Sequence, residues 1–558
     1  MKTNNNDYLK LQNGSDIRGV AIAGVEGEPV NLDETAAFKI GCAFAAWLRN
    51  KTFANRTPMT DDSKEGTCFS DPSEYTLTVS VGRDPRLSGE KLAAAFSAGL
   101  VHSRVRVFDC GLASTPAMFM STIFDSFNCD GAVMITASHL PFNRNGFKFF
   151  DKTGGLNKSD IKEILTIACE LPDDAFSEIS ADHAVTGAAD VSNGSVEQKN
   201  LMDRYCLHLC EIIADGVSCR GASAEGSLPL SGLKIVVDAG NGAGGFYAGK
   251  VLEPLGAEVI GCYLEPDGSF PNHIPNPENK DAMASICSAV RESGADLGII
   301  FDTDVDRSAA VDENGHEIAR NGIVALAAAL VGEKHPGTTI VTDSITSDQL
   351  SVFLEKDLGM KHLRYKRGYK NVINKALELN ESGEECCLAI ETSGHAAIKD
   401  NYFLDDGAYL ATLIVIKAAN LAREGKKISS MISALKEPSD AVEIRMKLSG
   451  EDFAASGDRI LAELKEWICS GSEPAGPFTL VEPNYEGIRA NYSSSGDPMV
   501  NADTSGEQIS GWFLLRKSLH DPIMPLNIES NQPGGCKIIA ARLKGFLEKY
   551  DELDTSEL

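Results

Sequence analysis

The chain predicts a mixed, largely parallel α/β architecture repeated in tandem and closed by an α+β domain. Three observations carry this reading. Short apolar runs with β-branched residues alternate with helical stretches and with turns bearing glycine or proline. The alternation recurs along 558 residues, too many for a single core. From Ala441 the style changes to the polar–apolar alternation of a half-buried antiparallel strand.

The elements follow in order. Leu77-Thr78-Val79-Ser80-Val81 reads as a strand, followed by the turn Gly82-Arg83-Asp84-Pro85-Arg86 and a helix over 90–100. Gly131-Ala132-Val133-Met134-Ile135 is a second buried strand. Leu233–Asp238 is a third, leading into Gly240-Asn241-Gly242-Ala243-Gly244, and Thr338–Asp343 a fourth, preceded by an Ala/Leu-rich helix over 324–331. In the last part, 441–446, 512–516 and 524–529 read as strands. The Ser/Asp/Gly-rich stretches 50–74, 181–195, 215–227 and 491–508 read as insertions or linkers, and 551–558 as an acidic tail. These breaks give four domains, 1–195, 196–320, 321–438 and 439–558.

A formal charge of −28 and a pI near 4.8 exclude non-specific binding to nucleic acid or anionic membranes, but not a small anion held at a locally basic site. The 14 cysteines are scattered without a paired C-x-x-C spacing, as expected of free thiols in a reducing compartment. The polar start carries no apolar signal region, and no apolar run approaches the ~20 residues needed to span a bilayer. The expectation is an intracellular, cytoplasmic protein, or an organellar one if a targeting segment lies outside this sequence.

Chemistry concentrates at strand ends. Ser138, in Thr136-Ala137-Ser138-His139, follows the strand 131–135 at its C-terminal edge, where open α/β sheets place ligands. A hydroxyl there, followed by His139 and then Asn145-Gly146-Phe147-Lys148, suits nucleophilic or phosphoryl chemistry; alone, such a serine merely caps a turn. Asp302, Asp304 and Asp306, spaced by two after the run 298–301, can turn carboxylate oxygens toward one hard divalent cation such as Mg²⁺. An EF-hand is disfavoured because Arg307 stands where glycine is needed. A phosphatase with Asp302 as nucleophile and Asp405-Asp406 as its distal acidic pair is a rival, but it leaves Ser138 unemployed. Glu391 and Ser393, in Glu391-Thr392-Ser393-Gly394-His395, can bracket two adjacent sugar hydroxyls. Arg516 and Ser518 after the strand 512–516 can grip a phosphate. The glycines of 240–244 lack dinucleotide spacing and read as a packing turn.

Together, in this order and spacing, these segments resemble the α-D-phosphohexomutase family over nearly the whole chain, on the phosphomannomutase/phosphoglucomutase side. Residues 15–19, 82–86 and Gly368-Tyr369-Lys370 match further family positions. The resemblance implies three similar α/β domains with mixed sheets plus a smaller fourth, α+β, domain around a central cleft. The four carry in turn a phosphoserine loop, a metal loop, a sugar loop and a phosphate loop. It implies phosphate on Ser138, Mg²⁺ on Ser138, Asp302, Asp304 and Asp306, and charge stabilisation by Arg307. His139, Lys148 and His395 become the proton-transfer candidates, Arg18 and Lys370 the added positive charge, and Glu391, Ser393, Arg516 and Ser518 the substrate contacts. The implied reaction interconverts hexose 1-phosphate and hexose 6-phosphate of glucose or mannose through a 1,6-bisphosphate, in a monomer or homodimer. One departure stands out. The family phosphate loop usually reads Arg-Pro-Ser-Gly-Thr-Glu-Pro, whereas Lys517, Leu519, His520 and Asp521 here replace Pro, Gly, Thr and Glu. The alternative is therefore a diverged sugar-phosphate-binding homologue.

Overall fold

The apolar runs become buried strands close to the predicted bounds. The computed structural model describes residues 7–54, 76–172, 194–217, 228–450, 452–471, 475–494, 510–518 and 521–558. They form two units, one of residues 1–319 and 393–430, the other of 320–392 and 431–558.

In the first unit an eight-stranded mixed sheet runs in the order Gln12–Asn13, Asp16–Val20, Arg144–Asp151, Gly131–Ile135, Thr78–Arg83, Arg106–Leu112, Ser195–Gln198, with Gly154–Gly155 paired off this path. The last four of that series are parallel and the first three join antiparallel. Every residue of Gly131–Ile135 is buried, as a central strand covered on both faces requires. Helices Glu34–Ala54 and Gly89–His102 pack so closely that a Cβ on Gly99 would lie 2.2 Å from the Phe38 carbonyl oxygen. A second sheet places Glu258–Cys262, Lys234–Asp238 and Leu297–Phe301 in parallel, then Ser308–Val311 and Glu317–Ile318 antiparallel. Helix Gly407–Arg423 packs on Leu297–Phe301 and Ser308–Val311.

In the second unit Lys361–Arg364, Thr339–Thr342 and Cys386–Ile390 form a parallel ladder. Asp440–Lys447, Ile523–Ser530, Ser510–Leu515, Ile488–Ser493 and Phe478–Leu480 form an antiparallel sheet. Helices Phe453–Cys469 and Gly535–Leu547 cover it, with Trp467 and Phe546 rings 4.9 Å apart in the core.

All four stretches expected as linkers are partly regular. The first helix continues to Ala54, helix Leu201–Gly216 extends past 215, strand Ile488–Ser493 runs into 491–508, and Ser195 opens an edge strand. That strand is polar because it is an edge: Arg106 and Glu197 pair across it at 2.6 Å instead of burying apolar surface. Most of 50–74, 181–195, 215–227 and 491–508 lies outside the described residues.

Candidate active site

In the first unit the strand ends at Ile135 and Phe301 deliver Ser138 and the three aspartates to one place. Ser138 adopts a left-handed conformation (φ +49°), fixed by its N–H donating to Thr136 Oγ1 at 2.8 Å. Its Oγ donates to Asp302 Oδ2 at 2.9 Å and accepts from Arg307 Nη2 at 3.3 Å. Arg307 also donates through Nε to Asp302 at 3.1 Å and through Nη2 to His139 Nδ1 at 2.7 Å. Val305 stands at φ +69°, costly for a β-branched residue, and this kink turns Asp304 and Asp306 inward. Lys148 Nζ lies 3.0 Å from Asp304 and contacts Asp306 as well.

The aspartates fit a hard cation. Their ligand oxygens lie within 4.8 Å of one another, all three residues are buried, and Asp304 Oδ1 and Asp306 Oδ1 have no hydrogen-bond partner among the described residues. Burial, with the charges of Asp306 and Asp304, pushes Asp302 well above the carboxylate range. At Asp306 the cations Lys148, His395 and Arg307 more than offset burial and hold the carboxyl low. Lys148 is likewise opposed by burial but held well above its ordinary value by Asp304 and Asp306.

The two histidines are driven apart. Burial, then the charges of Arg307, His395 and Arg18, push His139 down to about 2. Burial acts the same way on His395, but Asp405, hydrogen-bonded to its Nδ1, and Asp306, 3.9 Å away, raise it to about 9. At neutral pH His139 is a neutral hydrogen-bond acceptor of very low basicity and His395 a cationic donor. Arg18 donates to the Thr136 carbonyl and, at 2.8 Å, to Asp16. Ser393, also in this unit, is buried.

The second unit holds the remaining predicted residues. Glu391 is buried and accepts the Gly368 N–H at 2.7 Å, where the chain turns into helix Tyr369–Glu381 with Gly368 at φ +105°. Lys370 is half-buried on the first turn of that helix. Arg516 is buried, its Nε has no hydrogen-bond partner among the described residues, and its main-chain N–H donates to the Pro525 carbonyl at 3.0 Å. Burial, then the charge of Arg367, lowers its affinity for its proton. The carboxylates Glu486, Glu443 and Asp343 partly offset these two effects, and Asp343 lies 3.6 Å from Arg367. Ser518 is tied to Ile523 through its N–H at 3.0 Å, and its Oγ accepts the Asp521 N–H at 3.2 Å. Leu519 and His520 lie outside the described residues.

The phosphoglucomutase/phosphomannomutase α/β/α domain I model matches residues 66–172, domain II matches 217–315 and domain III matches 319–438. A phosphomannomutase/phosphoglucomutase of Pseudomonas syringae pv. tomato is 32% identical over 453 residues, covering 81% of this chain and 83% of the relative. The chain belongs to the phosphoglucomutase/phosphomannomutase family. A phosphoglucomutase of Neisseria gonorrhoeae is 27% identical over 536 residues, 95% of this chain and 96% of its own. The crystal structure of a phosphoglucomutase/phosphomannomutase family protein from Burkholderia thailandensis superposes with a TM-score of 0.69 at 25% identity, covering 96% of each chain. The architecture is accordingly three tandem α/β domains with mixed sheets and a C-terminal sheet domain.

Within this family frame Thr115, not noted in the sequence, and residues of 82–86 and 405–406, noted there without these roles, support the site. Arg86, fully buried, donates to four carbonyls of the serine loop: Ser138, Leu140 at 2.6 Å, Pro141 at 2.8 Å and Arg144 at 3.0 Å. Asp84 pairs with its Nε at 3.2 Å. Thr115 fixes the metal loop by donating its hydroxyl to Asp304 Oδ2 and its N–H to Asp304 O at 2.8 Å. Asp405 holds His395, and Asp406 caps helix Gly407–Arg423 while accepting from Tyr205 at 2.7 Å, so neither is the distal acidic pair of an aspartyl phosphatase. Glu313, the would-be twelfth residue of an EF-hand, accepts a hydrogen bond from Ser429. The turn 240–244 lies under the metal loop, where a Cβ on Gly242 would meet the Thr303 carbonyl oxygen at 2.8 Å.

Proposed function

We propose that this hexose-phosphate mutase moves a phosphoryl group between Ser138 and the O1 and O6 positions of glucose or mannose phosphates, through a hexose 1,6-bisphosphate. The observation that carries the reading is the convergence on one hydroxyl: Ser138 Oγ has Asp302 at 2.9 Å and Arg307 at 3.3 Å, with His139 alongside. In the first half-reaction the substrate hydroxyl attacks the phosphoserine phosphorus as the bond to Ser138 Oγ breaks. Cationic His395 is suited to give a proton, whereas His139, at about 2 far too weak a base to take one, accepts from Arg307 and holds that guanidinium beside Ser138 Oγ. Lys148 and Arg307 stay positive and offset charge on the transferring oxygens. Asp302, Asp304, Asp306 and a Ser138-linked oxygen are the ligands for Mg²⁺, which supplies further neutralisation of phosphoryl charge when bound.

After the bisphosphate turns over, its other phosphate returns to Ser138. Glu391 and Ser393 serve the sugar hydroxyls, Arg516 and Ser518 grip the phosphate that is not reacting, and Arg18 and Lys370 add positive charge for the substrate. The four-domain division 1–195, 196–320, 321–438 and 439–558 remains the working assignment of these loops. An intracellular enzyme working as a monomer or homodimer on small sugar phosphates, without nucleic-acid or membrane partners, accords with the acidic charge. No helix among the described residues is long and apolar enough to cross a membrane.

Intact-mass analysis tests the reading: a fraction of the protein carries one phosphate, stable to hydroxylamine and lost in Ser138→Ala. A hydroxylamine-labile phosphate that persists in Ser138→Ala would place the nucleophile on an aspartate and refute it. The remodelled phosphate loop supports the second reading, a diverged binder, and a coupled assay with glucose 1-phosphate and mannose 1-phosphate plus 1,6-bisphosphate decides between them.

A further inference from the structure

Outside the phosphoryl-transfer residues, three donors of different kinds meet at the start of the strand Cys386–Ile390. We propose that His335 Nδ1, the Glu385 carboxylate and Cys387 Sγ form a binding site for a divalent ion of the zinc class, separate from the all-oxygen aspartate loop. The three ligand atoms lie within 4.8 Å of one another. His335 Nδ1 is 3.6 Å from Glu385 Oε1, and the Cys387 thiol donates a hydrogen bond to the same oxygen at 3.6 Å, a proton that an ion would replace.

Those gaps are informative. Zinc takes nitrogen and oxygen at about 2.0–2.1 Å and sulfur at about 2.3 Å, so ligands on adjacent corners of its tetrahedron sit about 3.4–3.6 Å apart. The nitrogen–oxygen pair is too far apart for a hydrogen bond and close to the separation that a shared ion imposes. Mixed nitrogen, oxygen and sulfur donors select zinc-like ions, whereas Asp302, Asp304 and Asp306 offer only the hard oxygens that suit Mg²⁺.

The frame is already set. His335 lies in the turn after helix Asn321–Gly332, its N–H donating to Val331 at 3.0 Å. The Glu385 carbonyl accepts from Thr339 N–H at 2.9 Å and from Thr338 Oγ1 at 3.3 Å. Cys387 is buried within the strand and closes the inner side, while Cys386 points to the other face and donates to Leu388. Exposure of Glu385 and partial exposure of His335 leave an entry path and room for water as fourth ligand. On binding, the Cys387 thiol releases its proton to solvent, and His335 ligates through Nδ1 with its proton on Nε2.

Cobalt titration of the full-length protein tests this. A thiolate bound to Co²⁺ gives a sulfur-to-metal charge-transfer absorption that the aspartate loop, lacking sulfur, cannot give. The expected result is one such ion per chain, displaced by Zn²⁺, absent in Cys387→Ala and retained in Cys386→Ala. In His335→Gln the apparent affinity falls by about tenfold or more, a scale already seen for outer-shell partners, while Mg²⁺-supported turnover is unchanged. No charge-transfer band with Co²⁺ in excess of protein overturns the proposal, as does a band of unchanged affinity in His335→Gln.

Discussion

Gly407→Ala asks whether the helix that follows Asp406 sets the position of Arg307. Gly407 opens helix Gly407–Arg423 and donates its N–H to the Val305 carbonyl at 3.1 Å. A Cβ on it would stand 2.5 Å from Arg307 C, 2.7 Å from Arg307 O and 3.0 Å from Arg307 Cα. All three are backbone atoms, so no rotamer change relieves the clash. Restoring an ordinary contact of at least 3.4 Å to the nearest atom requires the helix start and the metal loop to separate by roughly 1 Å. Overpacking of this kind costs about 1–3 kcal/mol of stability. Its catalytic cost is larger, because a displacement of about 1 Å at a positioning element lowers rate by about 100-fold. Arg307 reaches Ser138, His139 and Asp302 through a single guanidinium, so all three contacts are lost together. The assay is kcat for hexose 1-phosphate conversion beside the melting temperature. The expected outcome is a fall in kcat of about two orders of magnitude with a drop in Tm of a few degrees. Gly545→Ala is the control: it sits in helix Gly535–Leu547 with nothing within 4 Å of its Cβ. It should stabilise by roughly 0.5–1 kcal/mol and leave kcat alone. Wild-type kcat in Gly407→Ala would show that this contact does not position Arg307.

Other outcomes follow from the electrostatics. Asp304→Ala removes a proposed Mg²⁺ ligand whose Oδ1 is buried and unpartnered among the described residues, so Mg²⁺-supported turnover should vanish while circular dichroism stays native; full activity in that variant or in excess chelator would contradict the metal assignment. His395 is raised in the folded state, so its contribution to stability is complete below the ordinary imidazole pKa and fades as pH climbs through about 9. In Asp405→Asn the alkaline limb of the kcat–pH profile should therefore move to lower pH by about one unit or more, as expected when a close opposite charge is removed; an unmoved limb would mean that His395 is not the acid. Arg516→Ala should mainly raise KM, by about 1–3 kcal/mol in binding, because the lost bond to a charged phosphate is shared by substrate and transition state. Steady-state kinetics with both kinetic constants unchanged would remove Arg516 from the phosphate grip.

What could be read in the sequence and what could not divide along a physical line. Ser138, Asp302 and Glu391 were legible because each follows a short, wholly apolar strand, and strand ends in α/β sheets are where side chains are free to meet ligands. The position of a motif beside its own strand is a local property. Arg86, Thr115 and Asp405 act through partners brought to them by the fold: Arg86 reaches Ser138 across 52 positions, and Thr115 reaches Asp304 across 189. No periodicity encodes such a pairing. The turn 240–244 was legible as a packing turn, but not that its packing partner is the metal loop. Helix and strand bounds slipped where polar residues continued regular structure at an edge, as in 195–198, because solvation of an edge strand hides the apolar signal.

The Arg86 clamp has a bearing on reversibility. In the proposed cycle one oxygen, Ser138 Oγ, serves as leaving group in the first transfer and as nucleophile in the second, with the sugar having swapped ends between them. A loop that relaxed after giving up its phosphate would have to be rebuilt before the return step, at a cost to both directions. A guanidinium bonded to four main-chain carbonyls resists that relaxation, so the serine loop keeps its shape between the two transfers. The relative stabilities of the two sugar phosphates fix the ratio of forward to reverse kcat/KM whatever the loop does, so loosening Arg86 should slow both directions alike.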